Sequence, residues 1–481
     1  MPQWPAFVGP AYTSQSIIAA YDRCVNFYPE TLENSGEGRA KAVLYPTPGL
    51  QQFAILPTAP VTQLFELNGR LFAVARNFFY EVYSDGTFVA RGGVLPSATR
   101  PSICSNGTAG HQVFITSGGR GYIFDLVSNA FTQIVSPNFP TGSAVNGQYV
   151  DGYFAVQVAG TTQWQISALN DGLTWSGLDV AQRSFAQDNI VALAVTHREV
   201  WILGAQTSEV WYNSGATFSF QPITGVFLHE GCGAIDSVGQ LGQTIYWLSQ
   251  NAQGARRVVR AAAGYQPERV STHAIEYALS GYSTVADATG YGYQDQGHEF
   301  YVLTIPSQRA TWVFDATTGL WHERGYWDQP LGVYGAQRPV CHAYAFGQHL
   351  VGDIGTGQIW SQDIRFTSDG GGPIRRMRTS VHLVDELKYT FYSEAQVDLE
   401  VGLADVAATR APELMLRYSN TGGKTWSNVH TVSAGLVGEY HARARFRKLG
   451  RGRDRVFELS MTDAIPWRLI NGYIHGEGGT S

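Results

Sequence analysis

Apolar positions in this chain alternate with polar ones in short runs, and they almost never recur at helical spacing. The one helical candidate, 14–21, is short. A first group of alternating runs covers 61–67, 70–75, 80–83 and 87–90, with Asn68-Gly69 and Asp85-Gly86 between runs. Both dipeptides supply the positive φ angles of two-residue hairpin turns, so the group predicts four antiparallel strands. Further groups follow at 112–116, 121–126 and 131–135, then at 148–158 and 163–168 with Asp171-Gly172 and Trp175. The next are 190–196, 200–203, 208–212 and 218–222, then 244–249, 256–262 and 268–271, then 300–305, 311–315 and 320–323. A shorter seventh covers 341–346, 349–353 and 358–360.

Four strands recurring about every 40 residues are the signature of a β-propeller blade. A single blade cannot bury both faces, so the pattern predicts a ring of six or seven across residues 61–367. Separate sandwiches would need longer linkers than the chain has. Ser368-Asp369-Gly370-Gly371-Gly372-Pro373 reads as a hinge. Alternation resumes at 389–401, 413–419, 426–432, 441–449 and 456–461, which predicts a β-sandwich-like domain over 374–481. Residues 1–60 are proline-rich with little regular alternation and read as an extended N-terminal arm. The expected class is therefore all-β throughout.

Composition adds three constraints. Charged residues make up only 15% and aromatics 13%, which suits strands and tight turns with much surface covered by partners. The net charge of −6 divides unevenly: residues 1–374 carry 18 Lys/Arg and 27 Asp/Glu, residues 375–481 carry 15 and 12. Cys24, Cys104, Cys232 and Cys341 lie far apart without a C-x-x-C pair, so buried reduced thiols are expected rather than a zinc or redox site. The first basic residue is Arg23 and no apolar stretch approaches 18 residues, so neither a signal peptide nor membrane insertion is expected.

Candidate chemistry is sparse. Gly423-Lys424-Thr425 lacks the earlier glycine of a phosphate loop, position 418 being Tyr, and it sits between strands. His229-Glu230, His298-Glu299 and His322-Glu323 have no second histidine at metal-binding spacing. A glycosidase needs two carboxylates about one bond, and Glu299, Glu323 and Asp315 show no pairing. A sialidase needs an arginine cluster, whereas Arg120, Arg183 and Arg338 are scattered. Two stretches, Asn170 to Trp175 and Thr421 to Trp426, are similar to the Asp-box turn of sialidase-type propellers. There the box is a folding element, so Trp175 and Trp426 are expected to bury their rings against neighbouring strands. No catalytic, cofactor-binding or metal residue is expected. A secreted, sialidase-like glycan-binding or glycan-hydrolysing propeller is the alternative.

The sharpest charge feature runs from His441 to Arg455, where seven of fifteen residues are basic and one is acidic. On a strand, Arg443, Arg445 and Arg447 share one side while Ala442, Ala444 and Phe446 share the other. The ridge is a candidate contact for an acidic partner or for DNA, against a simple solvated face.

The order of motifs resembles a known family. Arg23-Cys24-Val25-Asn26-Phe27-Tyr28-Pro29-Glu30 precedes Leu44-Tyr45-Pro46-Thr47-Pro48-Gly49-Leu50. Mid-chain stand Thr207 to Gly215, Gly231-Cys232-Gly233-Ala234 and Thr244-Ile245-Tyr246-Trp247-Leu248, and later Leu416-Arg417-Tyr418-Ser419 and the arginine-rich hairpin. Together these are similar to the packaged-DNA stabilisation proteins, the tail hub or nozzle proteins of short-tailed bacteriophages. The resemblance implies a structural protein of the virion tail, assembled in the host cytoplasm as a homohexameric ring below the portal and its adaptor. Such a ring retains packaged double-stranded DNA, later forms part of its ejection conduit, and offers docking surfaces to tailspikes or fibres and to a needle or plug.

Overall fold

Asn68 and Gly69 turn the chain with φ angles of 51° and 79°, and Leu67 pairs directly with Arg70 across them. This is the two-residue hairpin the sequence predicts, and it opens the first sheet of a ring. Asp85-Gly86 works differently. Val82 pairs with Phe88, so five residues form the loop, and the Asp85 carboxylate accepts the Thr87 N–H at 2.9 Å. The computed structural model describes residues 2–32, 41–400 and 410–479; Val401, the end of one expected strand, lies outside them. By packing, the chain forms two compact units: Gln52–Gln308 with Gln337–Ser361, and Met1–Gln51 with Arg309–Ala336 and Gln362–Ser481.

The first unit holds five four-stranded antiparallel sheets in chain order. Their first and last strands are Val61–Leu67 and Phe88–Gly93, Ser102–Ser105 and Phe131–Gln133, Ala144–Val150 and Asp171–Gln182, Ile190–Thr196 and Phe220–Leu228, and Gly239–Leu241 and Glu268–Arg269. Apolar side chains fill the space between successive sheets rather than one common centre. Phe72 and Phe79 of the first sheet meet Val113 and Phe124 of the second. Phe114 and Ile123 meet Phe154 and Trp175 of the third. Trp164 meets Trp211 and Phe220 of the fourth, and Trp201 meets Trp247 of the fifth. Each buried aromatic removes large apolar area from water, at about 25 cal/mol per Å².

A hairpin, Thr289–Asp295 with His298–Ile305, holds the sixth position in this unit. Tyr301 Oη donates to the Ser237 carbonyl at 2.7 Å, which ties it to the fifth sheet. The remaining strands of the sixth predicted group, Ala310–Asp315 and Leu320–Glu323, pair with each other and belong by packing to the second unit. The seventh sheet contains Pro339–Ala345, Gln348–Asp353 and Gln358–Asp363. Its fourth strand is Gly49–Ile55, from the other end of the chain, and Leu56 N–H donates to the Gly357 carbonyl at 2.7 Å. Ala54, Val61, Leu64, Cys341, Leu350 and Ile359 then form one cluster, which closes the seventh sheet onto the first. The short seventh group is thus completed by a distant strand, and the ring has seven positions.

The second unit contains a β-sandwich. One sheet runs Phe27–Thr31, Ala42–Pro46, Leu469–Gly478, Thr390–Leu399, Ala444–Arg447. The other includes Cys24–Val25, Arg376–Thr379, Asp454–Met461, Glu413–Ser419 and His430–Ser433. Trp4 and Phe7 stack at 4.2 Å and lie inside its core with Phe446, Phe457, Leu459 and Trp467. Residues 1–60 are not set apart as an arm: Cys24–Val25, Phe27–Thr31 and Ala42–Pro46 are members of these sheets, because their backbone groups pair with strands from the far end of the chain.

Two local expectations fail. Residues 14–21 form a loop, not a helix: Tyr12 pairs with Asp22 and Ser14 N–H donates to the Ala20 carbonyl at 3.1 Å. Eight residues are too few to offset helix nucleation, and strand pairing on both flanks supplies the hydrogen bonds instead. The glycine-rich hinge is a pinned hairpin: Gly370 and Gly371 turn at φ 59° and 88°, Asp369 pairs with Gly372, and Gly370 N–H donates to Leu50 O at 2.9 Å.

Candidate functional site

Ala444–Arg447 is the last strand of its sheet, paired on one side only along the sheet path, with Thr390–Leu399. Alternation on a half-covered sheet sends Ala444 and Phe446 into the core, each about 1% exposed, and leaves Arg445 and Arg447 outside. Ala442 is half-buried, and Arg443 lies exposed just ahead of the strand. Arg447 Nε donates to Glu394 Oε2 at 3.1 Å. Arg445 Nε donates to Gln396 Oε1 at 3.1 Å and lies 3.6 Å from Glu394 Oε1. These are direct cross-strand pairs, Glu394 opposite Arg447 and Gln396 opposite Arg445. Arg443 has no ion pair or side-chain hydrogen bond among the described residues.

The basic run is therefore not one surface. Arg451 and Arg453 leave the strand and lie over the Tyr389 ring at 4.7 and 4.5 Å. Arg455 enters the core, where its guanidinium donates to Asn420 Oδ1 at 2.8 Å and to the Leu449 and Arg451 carbonyls at 2.6 Å. It stacks 4.1 Å from the Tyr418 ring centre.

The two Asp-box-like turns differ. Trp175 is 3% exposed, packs against Phe114 and Phe139, and donates Nε1–H to the Gly172 carbonyl at 2.7 Å. Asp171 accepts the Leu173 N–H at 2.9 Å, and this bond with that to Thr174 holds its carboxyl below the usual range. Trp175 thus stands as expected. Trp426 does not: it is only half-buried, with Arg417 stacked 4.6 Å from one face and Tyr21 6.2 Å away. Its turn closes through Ser419, which accepts the Thr421 and Gly423 N–H groups at 3.1 and 2.9 Å. Lys424 is exposed in that turn.

The scattered polar candidates are engaged locally. Arg183 is buried and donates to the Asp188 carbonyl at 2.9 Å and to Thr207 Oγ1 at 2.8 Å. Arg338 lies over the Trp360 ring at 5.2 Å, and Arg120 sits on a hairpin opposite Ser117. Glu323 is held by Arg23 through bonds of 2.7–3.0 Å, Asp315 accepts the Thr317 N–H at 3.0 Å, and Glu299 accepts from Gln294 at 2.6 Å. Glu230 of the first His-Glu pair binds Arg257 and Ser249. Among the described residues, no group of three His, Cys, Asp or Glu could hold a metal ion. All four cysteines are free, and burial pushes the Cys24 and Cys341 thiols up to about 12.

Two arginines carry structural weight that sequence reasoning missed. Arg378 is fully buried, donating to the Phe7, Ala6 and Pro10 carbonyls at 2.8, 3.1 and 3.3 Å and pairing with Asp22 at 2.8 Å. Arg100 precedes the second sheet, yet its guanidinium donates to Gly290 O at 2.9 Å, Val238 O at 3.4 Å and Val340 O at 3.5 Å. Through these three carbonyls one side chain joins the fifth, sixth and seventh positions, and the Arg100 backbone N–H adds a bond to Asp236 Oδ2 at 2.7 Å. Neither residue lies in a motif, and only the alternation Arg376-Met377-Arg378 could have hinted at an arginine facing inward.

Known proteins complete the description. No curated protein sequence matches the chain. Among solved structures, the N-terminal domain of Nup159 aligns at 12% identity over 71% of this chain and 99% of its own, with a TM-score of 0.42. The extracellular domain of BT4673 from B. thetaiotaomicron aligns at 10% identity over 90% and 61%, with a TM-score of 0.43. The Pan2 WD40 domain of Neurospora crassa aligns at 9% over 65% and 94%, with a TM-score of 0.41. Likenesses this distant carry no functional argument. The family models are far more specific. The bacteriophage P22 Gp10 beta-propeller matches residues 20–363, and the bacteriophage P22 Gp10 beta-sandwich matches residues 375–477. With both domains matched in order across nearly its whole length, this chain belongs to the bacteriophage P22 Gp10 family.

Proposed function

We propose that this protein is the tail hub or nozzle that closes the portal-adaptor channel, retains packaged DNA and forms part of its ejection conduit. Family membership makes it a structural, propeller-containing protein of the phage tail. The finer reading adds a homohexameric ring, assembled in the host cytoplasm, that contacts the portal-adaptor proteins, a tailspike or fibre and a needle or plug. The ring works by contact and not by catalysis. Its candidate arginines and carboxylates are tied into separate turns and sheets, which supports that reading over a sialidase-like one.

The observation that carries the proposal is the ridge of Arg443, Arg445 and Arg447, aligned outward over buried Ala444 and Phe446. Its partner is an acidic protein surface. Glu394 sits between Arg445 and Arg447 and would oppose a phosphate, and each phosphate contact adds a salt slope of about −0.9 that resists sliding. The excess of acids in residues 1–374 fits a wall past which DNA slips. Replacing all three arginines with Gln should leave the isolated chain folded and lower the yield of DNA-filled particles. Wild-type assembly should also weaken with added salt. Infectious particles at wild-type yield from the triple variant would refute the ridge's role.

A second reading rests on the strand's position. Charged side chains on an edge strand keep other strands from adding to it. In that case the triple variant assembles normally but aggregates when the isolated chain is concentrated.

A further inference from the structure

The hairpin Thr289–Asp295/His298–Ile305 and the seventh sheet meet at a cluster of rings. His342 sits on Pro339–Ala345 and His349 on the adjacent Gln348–Asp353; Tyr344 pairs with His349 and His342 with Val351, so the two histidines are diagonal neighbours. His342 Nε2 and His349 Nδ1 stand 3.0 Å apart. From the hairpin, Tyr291 stacks on the His342 ring at 6.0 Å and 10°, and Tyr293 lies 5.5 Å from it. Tyr293 also meets His349 edge-on at 5.7 Å, and Tyr344 lies 5.0 Å from His349. Asp295 Oδ1 is 4.0 Å from His349 Nε2. His298 stacks on Phe300, which in turn packs on Tyr293.

We propose that the His342–His349 pair of the seventh sheet, covered by Tyr291 and Tyr293 of this hairpin, is an acid-sensitive latch that holds the hairpin on the sheet. A 3.0 Å contact between two imidazole nitrogens needs one N–H and one lone pair. The neutral pair satisfies this. One added proton is also tolerated, because an imidazolium at His349 still donates to His342 and has the Asp295 carboxylate nearby. A second proton leaves two N–H groups facing each other, the bond must break, and the rings can separate and reach water only where Tyr291 and Tyr293 of the hairpin lift from them.

His342 is the ring that resists. Burial, then the neighbouring His349, push its pKa down from 6.5 to about 3. A histidine with a depressed folded-state pKa favours the closed form above the open-state value and loses that preference as pH falls. The window is therefore from about 6.5 down to about 3. The latch sits where the ring closes, because the sheet it secures is the one completed by Gly49–Ile55.

Hydrogen exchange of the full chain, corrected for the intrinsic rate at each pH, tests this directly. Opening of 289–305 and 339–353 should rise by up to tenfold per pH unit below 6.5, about 300-fold at pH 4. Peptides of the second to fourth sheets should not follow. His342→Gln, which cannot take a proton, should flatten that profile, and His349→Gln should shrink it by removing the partner. An acid response spread evenly over all sheets, or one unchanged in both variants, would overturn the latch.

Discussion

The propeller and the sandwich bury their interiors by different means. In the propeller, each cluster joins two successive sheets and is built from aromatic and aliphatic side chains close in sequence, as with Phe72, Phe79 and Phe124. In the sandwich, the core joins residues from both ends of the chain, Trp4 and Phe7 beside Trp467, with the cations Arg378 and Arg455 enclosed at its margins. Repetition lets the space between sheets fill with apolar side chains, because every sheet finds a like neighbour, and buried charges of this unit such as Glu81, Arg183 and Glu209 stand outside those clusters. Threading an N-terminal segment through a sandwich exposes backbone carbonyls that no strand pairs, and long arginines supply the missing donors. Arg378 does this for the carbonyls of Ala6, Phe7 and Pro10.

The contrast can be broken most severely at Arg378. Arg378→Ala should destabilise the sandwich by about 5 kcal/mol, the upper end for losing one partner of a buried ion pair, since Asp22 and three carbonyls are stranded together. Urea unfolding followed by sandwich-specific hydrogen exchange would measure it. A loss under about 1 kcal/mol would mean the segment is held by Trp4 and Phe7 alone. Trp175→Ala should cost the propeller about 4 kcal/mol through a cavity between the second and third sheets. Its melting shift should appear without any change in sandwich protection.

Arg100→Ala should cost about 2–3 kcal/mol, the range for a charged hydrogen-bonding group whose carbonyl partners are left without it. Arg100→Lys should recover little, because a single ammonium cannot span three carbonyls. Full recovery by lysine would show that charge alone matters at this position. Trp426→Ala should cost only about 1 kcal/mol, mostly the stacking of Arg417 on a half-buried ring. A loss as large as that at Trp175 would make the two turns equivalent after all. The triple Gln variant of Arg443, Arg445 and Arg447 should shift stability by no more than about 1 kcal/mol, since Arg447 is exposed and Arg445 and Glu394 are only half-buried. Equilibrium unfolding of the isolated chain would check that figure.

Much of the architecture is legible in the sequence. Asn68-Gly69 announces its hairpin because two adjacent residues tolerate positive φ. The inward set Ala444 and Phe446 follows from strand period alone. Trp175 and Trp426 carry nearly the same local signature, yet one is buried and the other sits beneath a guanidinium. The signature specifies the turn and says nothing of what lies across from the ring. The helix His273–Gly281 also escaped notice: its inward positions are only Ile275 and Leu279, too few to make a stripe.

Sequence by itself determined the strands, most of their turns, the repeat and the division of charge along the chain. These follow from backbone preference and alternation, which act over a few residues. Tertiary structure alone decided that Gly49–Ile55 completes the seventh sheet, that Arg100 joins the fifth, sixth and seventh positions, and that one basic run splits into ridge, aromatic-stacked and core arginines. An unpaired strand edge, a carbonyl and a carboxylate look alike wherever they fall in sequence. Which arginine or strand satisfies them depends on distances that exist only once the chain has closed on itself.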